Sequence, residues 1–310
     1  MMTKVKRTRR DWTNAIAGSA LAGAFCTPIA SAQPAQKTTH AGRQVALTID
    51  DGPAVGAGGD FDVFRNISSK LRKTFVDLNV PAIMFVNERQ LHVEGQRDAR
   101  VAVLEEWIEA GLEVGNHTFS HRRLSKSRLH EFYDDVIRGE VISRELLRKR
   151  SERIDWFRYP YLSSDSGERA EQVEKFLTER GYRIAPVTVD YKDYTYASAY
   201  SQRLRAGDED GLASLKSAVL RHCDDAFEAA ELQSLRLTGD EIPQILLVHC
   251  NELNSDTLGD IIKRIRSRGY EFVSLATAMR HPAYRTPGLP PGSLGGAFYS
   301  GLESVVFGDD

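Results

Sequence analysis

The amino-acid sequence predicts an α/β fold in which seven parallel strand–helix units close into a barrel. Short apolar runs rich in β-branched residues alternate with stretches whose apolar residues have helical spacing. Regular alternation of strands and helices favours a parallel sheet, and seven units close more naturally into a barrel than into an open sheet. The seven predicted strands are 45–49, 82–86, 112–114, 156–157, 184–189, 245–248 and 272–275.

Helices are predicted between these strands because apolar residues recur three and four positions apart. The clearest stretches are 71–78, 103–108, 136–147, 173–177 and 258–265. Gly111, Gly181 and Gly269 each precede a strand, where glycine accepts the left-handed backbone conformation that ends a helix. Residues 198–237 are too numerous for an ordinary connection, so we expect an inserted helical pair before the sixth strand.

The N-terminal segment has the composition of an export signal. Five of its first ten residues are Lys or Arg, an apolar stretch follows, and residues 30–32 (Ala-Ser-Ala) supply the small side chains of a signal-peptidase site. The apolar stretch is too short to span a membrane. Arg9 and Arg10 resemble the pair of a twin-arginine signal, and a Sec signal that contains two arginines is the alternative. We therefore expect an exported protein of the bacterial periplasm or the cell exterior.

These patterns divide the chain into four parts. They are an export signal (1–32), a polar linker (33–43), a barrel domain (44–284) and a tail rich in proline and glycine (285–310). The barrel domain, with about 240 residues, has the size of one α/β barrel rather than of two domains. We expect the tail to be irregular or loosely packed.

The charge and the cysteine content exclude several classes of protein. The chain has 41 Lys and Arg residues, 43 Asp and Glu residues and a formal net charge of −2. Removing the predicted signal takes away five basic residues and one acidic residue, which leaves a net charge of about −6. This is not the basic composition of a nucleic-acid-binding protein. Three cysteines cannot form a disulfide framework, and the sequence leaves open whether Cys223 and Cys250 pair.

Polar side chains follow six of the seven predicted strands at the point where each strand ends. In a parallel barrel the carboxyl ends of the strands form the face that carries the catalytic groups. A single polar residue after a strand is often only a turn residue, but six strand ends in a row indicate one functional site. The residues are, in strand order, Asp50 and Asp51, Asn87, His117, Arg158, Asp190 and Asp193, and His249.

His117 and His121 are candidates for metal ligands. They are four residues apart, so on one helical turn both imidazoles would face the same way. Asp51 could complete a set of two histidines and one carboxylate with a position left for water. A pair of histidines on a solvated surface is the alternative interpretation.

A general base is not built into the segment that holds the two histidines. Thr118 stands where the zinc proteases have the glutamate of their His-Glu-x-x-His motif. Asp50 is the natural candidate because it neighbours Asp51. Two adjacent carboxylates repel each other, but a nearby metal ion and Arg158 would both favour the ionised form of Asp50.

Five segments of the sequence resemble, in order, the five motifs of the polysaccharide deacetylases, the NodB-homology domain of carbohydrate esterase family four. The resemblance covers about 44–284, and its first two motifs are nearly complete. The segments are Thr48-Ile49-Asp50-Asp51-Gly52-Pro53, His117-Thr118-Phe119-Ser120-His121, Arg158-Tyr159-Pro160-Tyr161, Asp190-Tyr191-Lys192-Asp193-Tyr194 and Leu247-Val248-His249.

The resemblance implies a fold, an activity and a cofactor. The fold is a distorted (β/α)7 barrel of the NodB-homology type, here with the helical insertion before the sixth strand. The activity is removal of N- or O-acetyl groups from an acetylated polysaccharide or oligosaccharide of the chitin, peptidoglycan or xylan type. The cofactor is one divalent metal ion, usually Zn²⁺, with Co²⁺, Ni²⁺ or Mn²⁺ as alternatives. No nucleic acid and no membrane span is expected, and the oligomeric state stays open.

The resemblance also implies a role for each matching residue. The metal ligands are Asp51, His117 and His121, and the catalytic base is Asp50. The remaining residues are Arg158, which holds the base; Tyr161, whose backbone N–H helps to bind the oxyanion; His249, the general acid; and Asp193, which orients that acid.

Three positions depart from the family pattern and leave the substrate class open. Leu162 stands where a glycine is frequent, Tyr194 replaces a tryptophan, and Cys250 with Asn251 replaces an acidic residue. None of these changes removes a named catalytic atom. Two alternatives to a polysaccharide deacetylase are an exported amidase that acts on a non-sugar substrate and a carbohydrate-binding relative without activity.

Overall fold

A computed structural model describes residues 42–290, 292–295 and 298–307. The predicted export signal and residues 33–41 of the predicted linker lie outside the described residues. Among the described residues, no helix combines the length and the apolar character that crossing a bilayer requires.

Strands and helices alternate along the chain as the sequence predicts. The strands are β1 (Gln44–Gly52), β2 (Ala82–Val86), β3 (Glu113–Asn116), β4 (Trp156–Phe157), β5 (Arg183–Ile184), β6 (Val189–Asp190), β7 (Gln244–His249) and β8 (Glu271–Phe272). The helices are α1 (Phe61–Asp77), α2 (Arg97–Glu109), α3 (Leu129–Arg138), α4 (Val141–Arg148), α5 (Gly167–Glu179), α6 (Tyr194–Ala206), α7 (Glu209–Thr238), α8 (Glu252–Ser267), α9 (Leu275–Ala278) and α10 (Phe298–Phe307).

All strands belong to one curled parallel sheet, which confirms the predicted α/β class. The strand order is β5-β4-β3-β2-β1-β7-β6, and β8 pairs with the first two residues of β1. β1 lies inside the sheet between β2 and β7, and Val45, Ala46, Leu47 and Ile49 are all buried. Burial of successive residues on both faces is typical of a parallel strand that is covered by helices on one side and core on the other.

The fifth predicted strand, 184–189, is wrong as a single strand. It is divided into β5, which pairs with β4, and β6, which pairs with β7. Between them the N–H of Ala185 donates to the carbonyl of Phe157, and the N–H of Thr188 donates to the carbonyl of Ile245. Pro186 has no N–H and cannot continue a ladder. Residues 183–190, which we call the closing segment, therefore bond to one edge strand at their start and to the other at their end.

The insertion before β7 is helical, as predicted. It consists of α6 and the longer α7, whose buried residues include Val219 and Phe227. Cys223 of α7 and Cys250, which follows β7, are both buried and both free, so they do not pair.

The C-terminal tail differs from the expected irregular segment. It contains α10, in which Phe298 and Leu302 are buried and the ring of Phe298 lies 4.8 Å from that of Tyr284. Two apolar residues four positions apart share one face of a helix. This face belongs to a buried cluster that also contains sheet residues such as Ile83 and Ile245. The many prolines and glycines between residues 287 and 296 led to the expectation of an irregular tail, although the apolar residues 298 and 302 have helical spacing.

Candidate metal centre and active site

Asp51, His117 and His121 form a cluster at the carboxyl ends of β1 and β3. Their ligand atoms all lie within 4.8 Å of one another. Oδ1 of Asp51 is 3.3 Å from Nε2 of His121 and 3.7 Å from Nε2 of His117. The nearest oxygen of Asp50, Oδ2, lies 3.6 Å from Nε2 of His117, so Asp50 borders the cluster. One ion could contact the three ligand atoms at once.

The donor set fits a divalent metal ion such as zinc. Oδ1 of Asp51 is buried and accepts no hydrogen bond from the described residues, an arrangement that costs free energy unless a cation meets that oxygen. Nδ1 of His117 lies 2.8 Å from the carbonyl oxygen of Arg158, to which it donates, and this leaves Nε2 free as a ligand. Burial, and after it the charge of His117, lower the pKa of His121 to about 4. A neutral imidazole is the form that binds metal.

The two histidines lie on an irregular loop, so the predicted helical turn is wrong. Thr118 and His121 have positive φ values of 64° and 58°, which no helix contains. Oδ1 of Asn116 accepts the N–H of Thr118 at 2.7 Å, and Nδ2 of Asn87 donates to the carbonyl of Thr118 at 3.2 Å. Side-chain amides from β3 and from the end of β2 thus replace helical hydrogen bonds in bringing His117 and His121 together.

Helix α3 supports the same loop from the other side. The carboxylate of Asp135 accepts the N–H and the hydroxyl of Ser120 at 3.0 and 2.8 Å. Gly139 ends α3 against the loop, and a Cβ there would lie 2.5 Å from the carbonyl carbon of Thr118 and 2.6 Å from the nitrogen of Phe119. Only a residue without a side chain fits this approach of two backbones.

We expect Gly139→Ala to lower the free energy of unfolding by about 1–3 kcal/mol, the usual effect of forcing atoms into a packed region. Urea denaturation measures it. Gly259→Ala in α8 is the matched control, because a Cβ at Gly259 meets no atom within 4 Å, and this change should be neutral or stabilising. Equal stability of both variants would contradict the close approach.

Asp50 is held by a fully buried arginine. Nη1 of Arg158 donates to Oδ1 of Asp50 at 2.9 Å and to the hydroxyl of Thr48 at 2.6 Å. Its Nη2 and Nε donate to the carbonyls of Pro186 and Ala185 in the closing segment at 3.0 and 3.3 Å. The guanidinium therefore fixes one carboxylate oxygen of Asp50 and leaves the other directed towards the metal cluster.

His249 faces the cluster from the neighbouring strand, since it pairs in register with Asp50. Its Nδ1 lies 2.7 Å from Oδ1 of Asp193, and Oδ2 of Asp193 accepts hydrogen bonds from Asn251 at 3.1 Å and from Asn254. Burial alone would raise the pKa of Asp193, but the charge of His249 and these hydrogen bonds lower it. Burial alone would lower the pKa of His249, but the charge and the hydrogen bond of Asp193 raise it to about 10.

In the metal-free protein we expect His249 to titrate far above its ordinary pKa of 6.5, at about 10, and to carry a charge at neutral pH. The raised pKa stabilises the fold fully below about pH 6.5, and this contribution is lost as the pH rises through about 10. Histidine-selective NMR titration measures the value. Asp193→Asn should bring it to 6.5 or lower, and a wild-type pKa near 6.5 would contradict the ion pair.

These residues surround a cavity of about 330 Å³, which we call the active cavity. Its wall includes the rings of Tyr161 and Tyr194, each about half exposed, and the side chain of Arg123. The centre of the Tyr161 ring lies 4.2 Å from the centre of the His121 ring. The guanidinium carbon of Arg123 lies 4.0 Å from the centre of the Tyr161 ring. Sequence reasoning missed Arg123, whose nearness to His121 in the chain was the available signal.

The structure brings all eight sequence-predicted site residues to the carboxyl ends of the strands. Six of them line this cavity, and Arg158 and Asp193 bond directly to Asp50 and His249, which do. Tyr161 has the left-handed φ of 60° that turns the chain at the cavity wall. Asn87 and Asn116 support the loop that holds His117 and His121, and Asn254 supports Asp193. The sequence placed Asn87 at a strand end, whereas Asn116 and Asn254 had no signal that distinguished them from ordinary turn residues.

The fold and the site define a class of protein: curled parallel β/α barrels with a His/Asp cluster suited to a metal at the strand ends. Residues 37–185 match the family model described as polysaccharide deacetylase. A peptidoglycan-N-acetylglucosamine deacetylase from Bacillus cereus is 31% identical over 156 residues, which are 50% of this chain and 48% of that protein. The chain thus spans about half the length of this curated relative. The resemblance to the polysaccharide deacetylases is confirmed over residues 37–185.

Solved structures confirm the NodB-homology fold. The catalytic domain of a peptidoglycan N-acetylglucosamine deacetylase from Eubacterium rectale has a TM-score of 0.52 at 17% identity, over 81% of this chain and 96% of that one. A CE4 family pseudoenzyme from Bacillus anthracis has a TM-score of 0.52 at 16% identity, over 77% and 66% of the two chains. Because a pseudoenzyme shares the fold, activity has to be argued from the site residues.

Proposed function

We propose that this protein is a metal-dependent hydrolase that removes acetyl groups from an acetylated polysaccharide or oligosaccharide. The observation that carries the proposal is the convergence of a metal-binding cluster, a held carboxylate and a charged histidine on one cavity. Each has a separate role in hydrolysis of an acetyl group, and together they supply a Lewis acid site, a general base and a general acid.

Asp51, His117 and His121 would hold the metal ion. Two imidazoles and one carboxylate suit Zn²⁺, and Co²⁺, Ni²⁺ and Mn²⁺ are the other ions for such a set. When bound, a divalent ion supplies Lewis-acid polarisation of the acetyl carbonyl and lowers the pKa of a water molecule.

Asp50 acts as the general base. Its free oxygen borders the cluster, so it takes a proton from the water that attacks the acetyl carbonyl. Arg158 keeps the carboxylate oriented through its bond to the other oxygen. The backbone N–H of Tyr161 donates to the oxygen of the tetrahedral intermediate, where negative charge develops.

His249 acts as the general acid. It is charged at neutral pH because of Asp193, and it donates its proton to the leaving nitrogen or oxygen as the bond to the acetyl carbon breaks. Water gives up one proton to Asp50 and adds its hydroxide to the acetyl carbon, and the leaving group gains one proton from His249. The products are acetic acid, which ionises to acetate, and a free amine or hydroxyl.

The site of action follows from the N-terminal sequence and remains part of the proposal. A basic segment, an apolar stretch and a small-residue cleavage site support export. We place the enzyme in the periplasm or outside the cell, where acetylated envelope polymers and glycans are found.

Acetate release from acetylated chitin oligomers, peptidoglycan and xylan tests the proposal. The protein is treated with a chelator, assayed, and assayed again after addition of Zn²⁺. We expect acetate from at least one substrate, dependent on the metal. A protein that binds metal yet releases no acetate from any substrate would overturn the proposal and favour a binding protein or an amidase with another substrate.

A further inference from the structure

A second cavity, of about 470 Å³, meets the active cavity at Asp51 and His121, which line both. We call it the arginine cleft. Its wall includes the glycine-rich loop after β1 and the side chains of Arg89, His92, Arg100 and Phe119. The volume is within the range of pockets that bind small ligands. A glycan bound across the metal centre would enter this cleft with the unit next to the acetylated sugar.

Arg100 places a buried positive charge on the wall of the arginine cleft. It is 2% exposed, and its guanidinium donates to Oε1 of Gln96 and to the carbonyls of Gln90 and Gly58 at 2.8–2.9 Å. All three acceptors are uncharged. Burial lowers the pKa of Arg100, and no carboxylate of the described residues offsets that effect. A buried charge without a counter-ion is costly, so a negative charge in the cleft would be stabilised there.

Arg89 brings a second cation to the cleft. Its side chain is exposed and has no ion-pair partner within the described part of the chain. Beside it, burial and then the charges of Arg97 and Arg138 lower the pKa of His92. The guanidinium of Arg138 lies 4.0 Å over the ring of Phe119, on the wall of the cleft. Among the side chains that line the cleft, two arginines stand against one carboxylate, although the whole chain has a net charge of −2.

Asp51 is the only carboxylate among the described residues that line the arginine cleft. It belongs to the metal cluster, where a divalent ion would more than balance its charge. The cleft next to a loaded metal centre thus has a positive potential with no internal anion to neutralise it. Such a site selects a negatively charged ligand group.

We infer that the arginine cleft binds a carboxylate carried by the unit next to the acetylated sugar, so that the enzyme prefers acidic acetylated glycans. This inference rests on the proposed function and deepens it. The planar guanidinium of Arg89 can donate two parallel hydrogen bonds to a carboxylate, and the N–H of His92 offers a third donor. The positive charge of the buried Arg100 also attracts this carboxylate.

Matched pairs of acetylated glycan fragments test the inference on the zinc-loaded enzyme. The members of each pair differ only in having a free carboxylate or its methyl ester. One pair carries the carboxylate on the sugar itself and another carries it on an attached peptide, which separates the two sources. We expect kcat/KM to be about ten-fold higher for the free acid, mainly through KM, and the preference to shrink at high salt.

Arg89→Gln should bring the ratio of acid to ester close to one, whereas Arg221→Gln should not change it. Arg221 is an exposed arginine of α7 without an ion-pair partner among the described residues and lies outside both cavities. Equal rates of the wild type on acid and ester, or an unchanged ratio in Arg89→Gln, would overturn the inference.

A neutral acetylated chitin oligomer separates failure of this inference from failure of the proposed function. Acetate from that oligomer with no preference for acids overturns the inference alone. If no substrate releases acetate, the proposed function fails, and calorimetric binding of the acid and its ester then decides about the cleft. Tighter binding of the acid supports the inference, and equal binding overturns it.

Discussion

Asp50→Asn is expected to reduce kcat for acetate release by about a thousand-fold, within the range that a general base contributes. An amide cannot take the proton of the attacking water, but it keeps the shape of the side chain. Oδ1 can still accept from Arg158, so the fold around β1 should persist. Because Asp50 is not in the metal cluster, the variant should bind one metal ion per chain, as measured by elemental analysis beside the acetate assay.

Asp190→Asn is the matched control for the base. Asp190 also lines the active cavity and also lies at the carboxyl end of a strand, but its carboxylate accepts the N–H of Lys192 and lies outside the metal cluster. We expect it to lose less than about ten-fold in kcat. Equal losses in the two variants would show that a general negative charge, and not a specific base, is what the cavity supplies.

His117→Ala is expected to abolish metal binding and with it the activity. His117 is buried, and its Nε2 is fixed by the bond from Nδ1 to the carbonyl of Arg158. Loss of a group that merely supports a ligand costs about 10–100-fold in metal affinity, so loss of the ligand itself should cost at least about 100-fold. Titration with Zn²⁺ after chelation measures the affinity, and acetate release should return in the wild type but not in the variant.

His130→Ala is the control for the metal ligand. His130 is an exposed histidine of α3 outside both cavities. Its loss should change neither metal content nor acetate release. A His117→Ala protein that keeps one tightly bound ion would exclude the proposed ligand set, whatever its activity.

The class of fold and most of the site could be predicted because they depend on local patterns. Apolar runs and helical spacings are carried by neighbouring residues, and a parallel barrel brings all strand ends to one face regardless of detailed packing. Asp50, His117 and His249 are therefore placed together by topology alone. The register of β1 with β7, which sets Asp50 opposite His249, then follows from the sheet.

The features that the sequence did not reveal depend on contacts between distant residues. The loop that holds His117 and His121 takes its shape from Asn87 and Asp135, which are far from it in the chain. A spacing of four residues looks the same on a helix and on such a loop. In the same way, the cations of the arginine cleft lie among ordinary polar positions of the sequence, and only the fold collects them beside the metal centre.

The division of the fifth strand had a local signal that the apolar pattern outweighed. Pro186 interrupts the run 184–189, and a proline inside a central strand argues against that strand. Ala185 and Val189 are buried because the closing segment crosses the gap between the two edges of the sheet.

Arg158 connects this closing segment to the residues of the candidate site. Its guanidinium donates to Ala185 and Pro186 as well as to Asp50, and its carbonyl accepts from His117. Brief detachment of these few residues from the sheet edge would remove two of the hydrogen bonds that hold the guanidinium against Asp50, while the helices stayed folded. We therefore expect inactivation on gentle heating to be a local event, governed by the opening free energy of one short segment rather than by melting of the whole barrel.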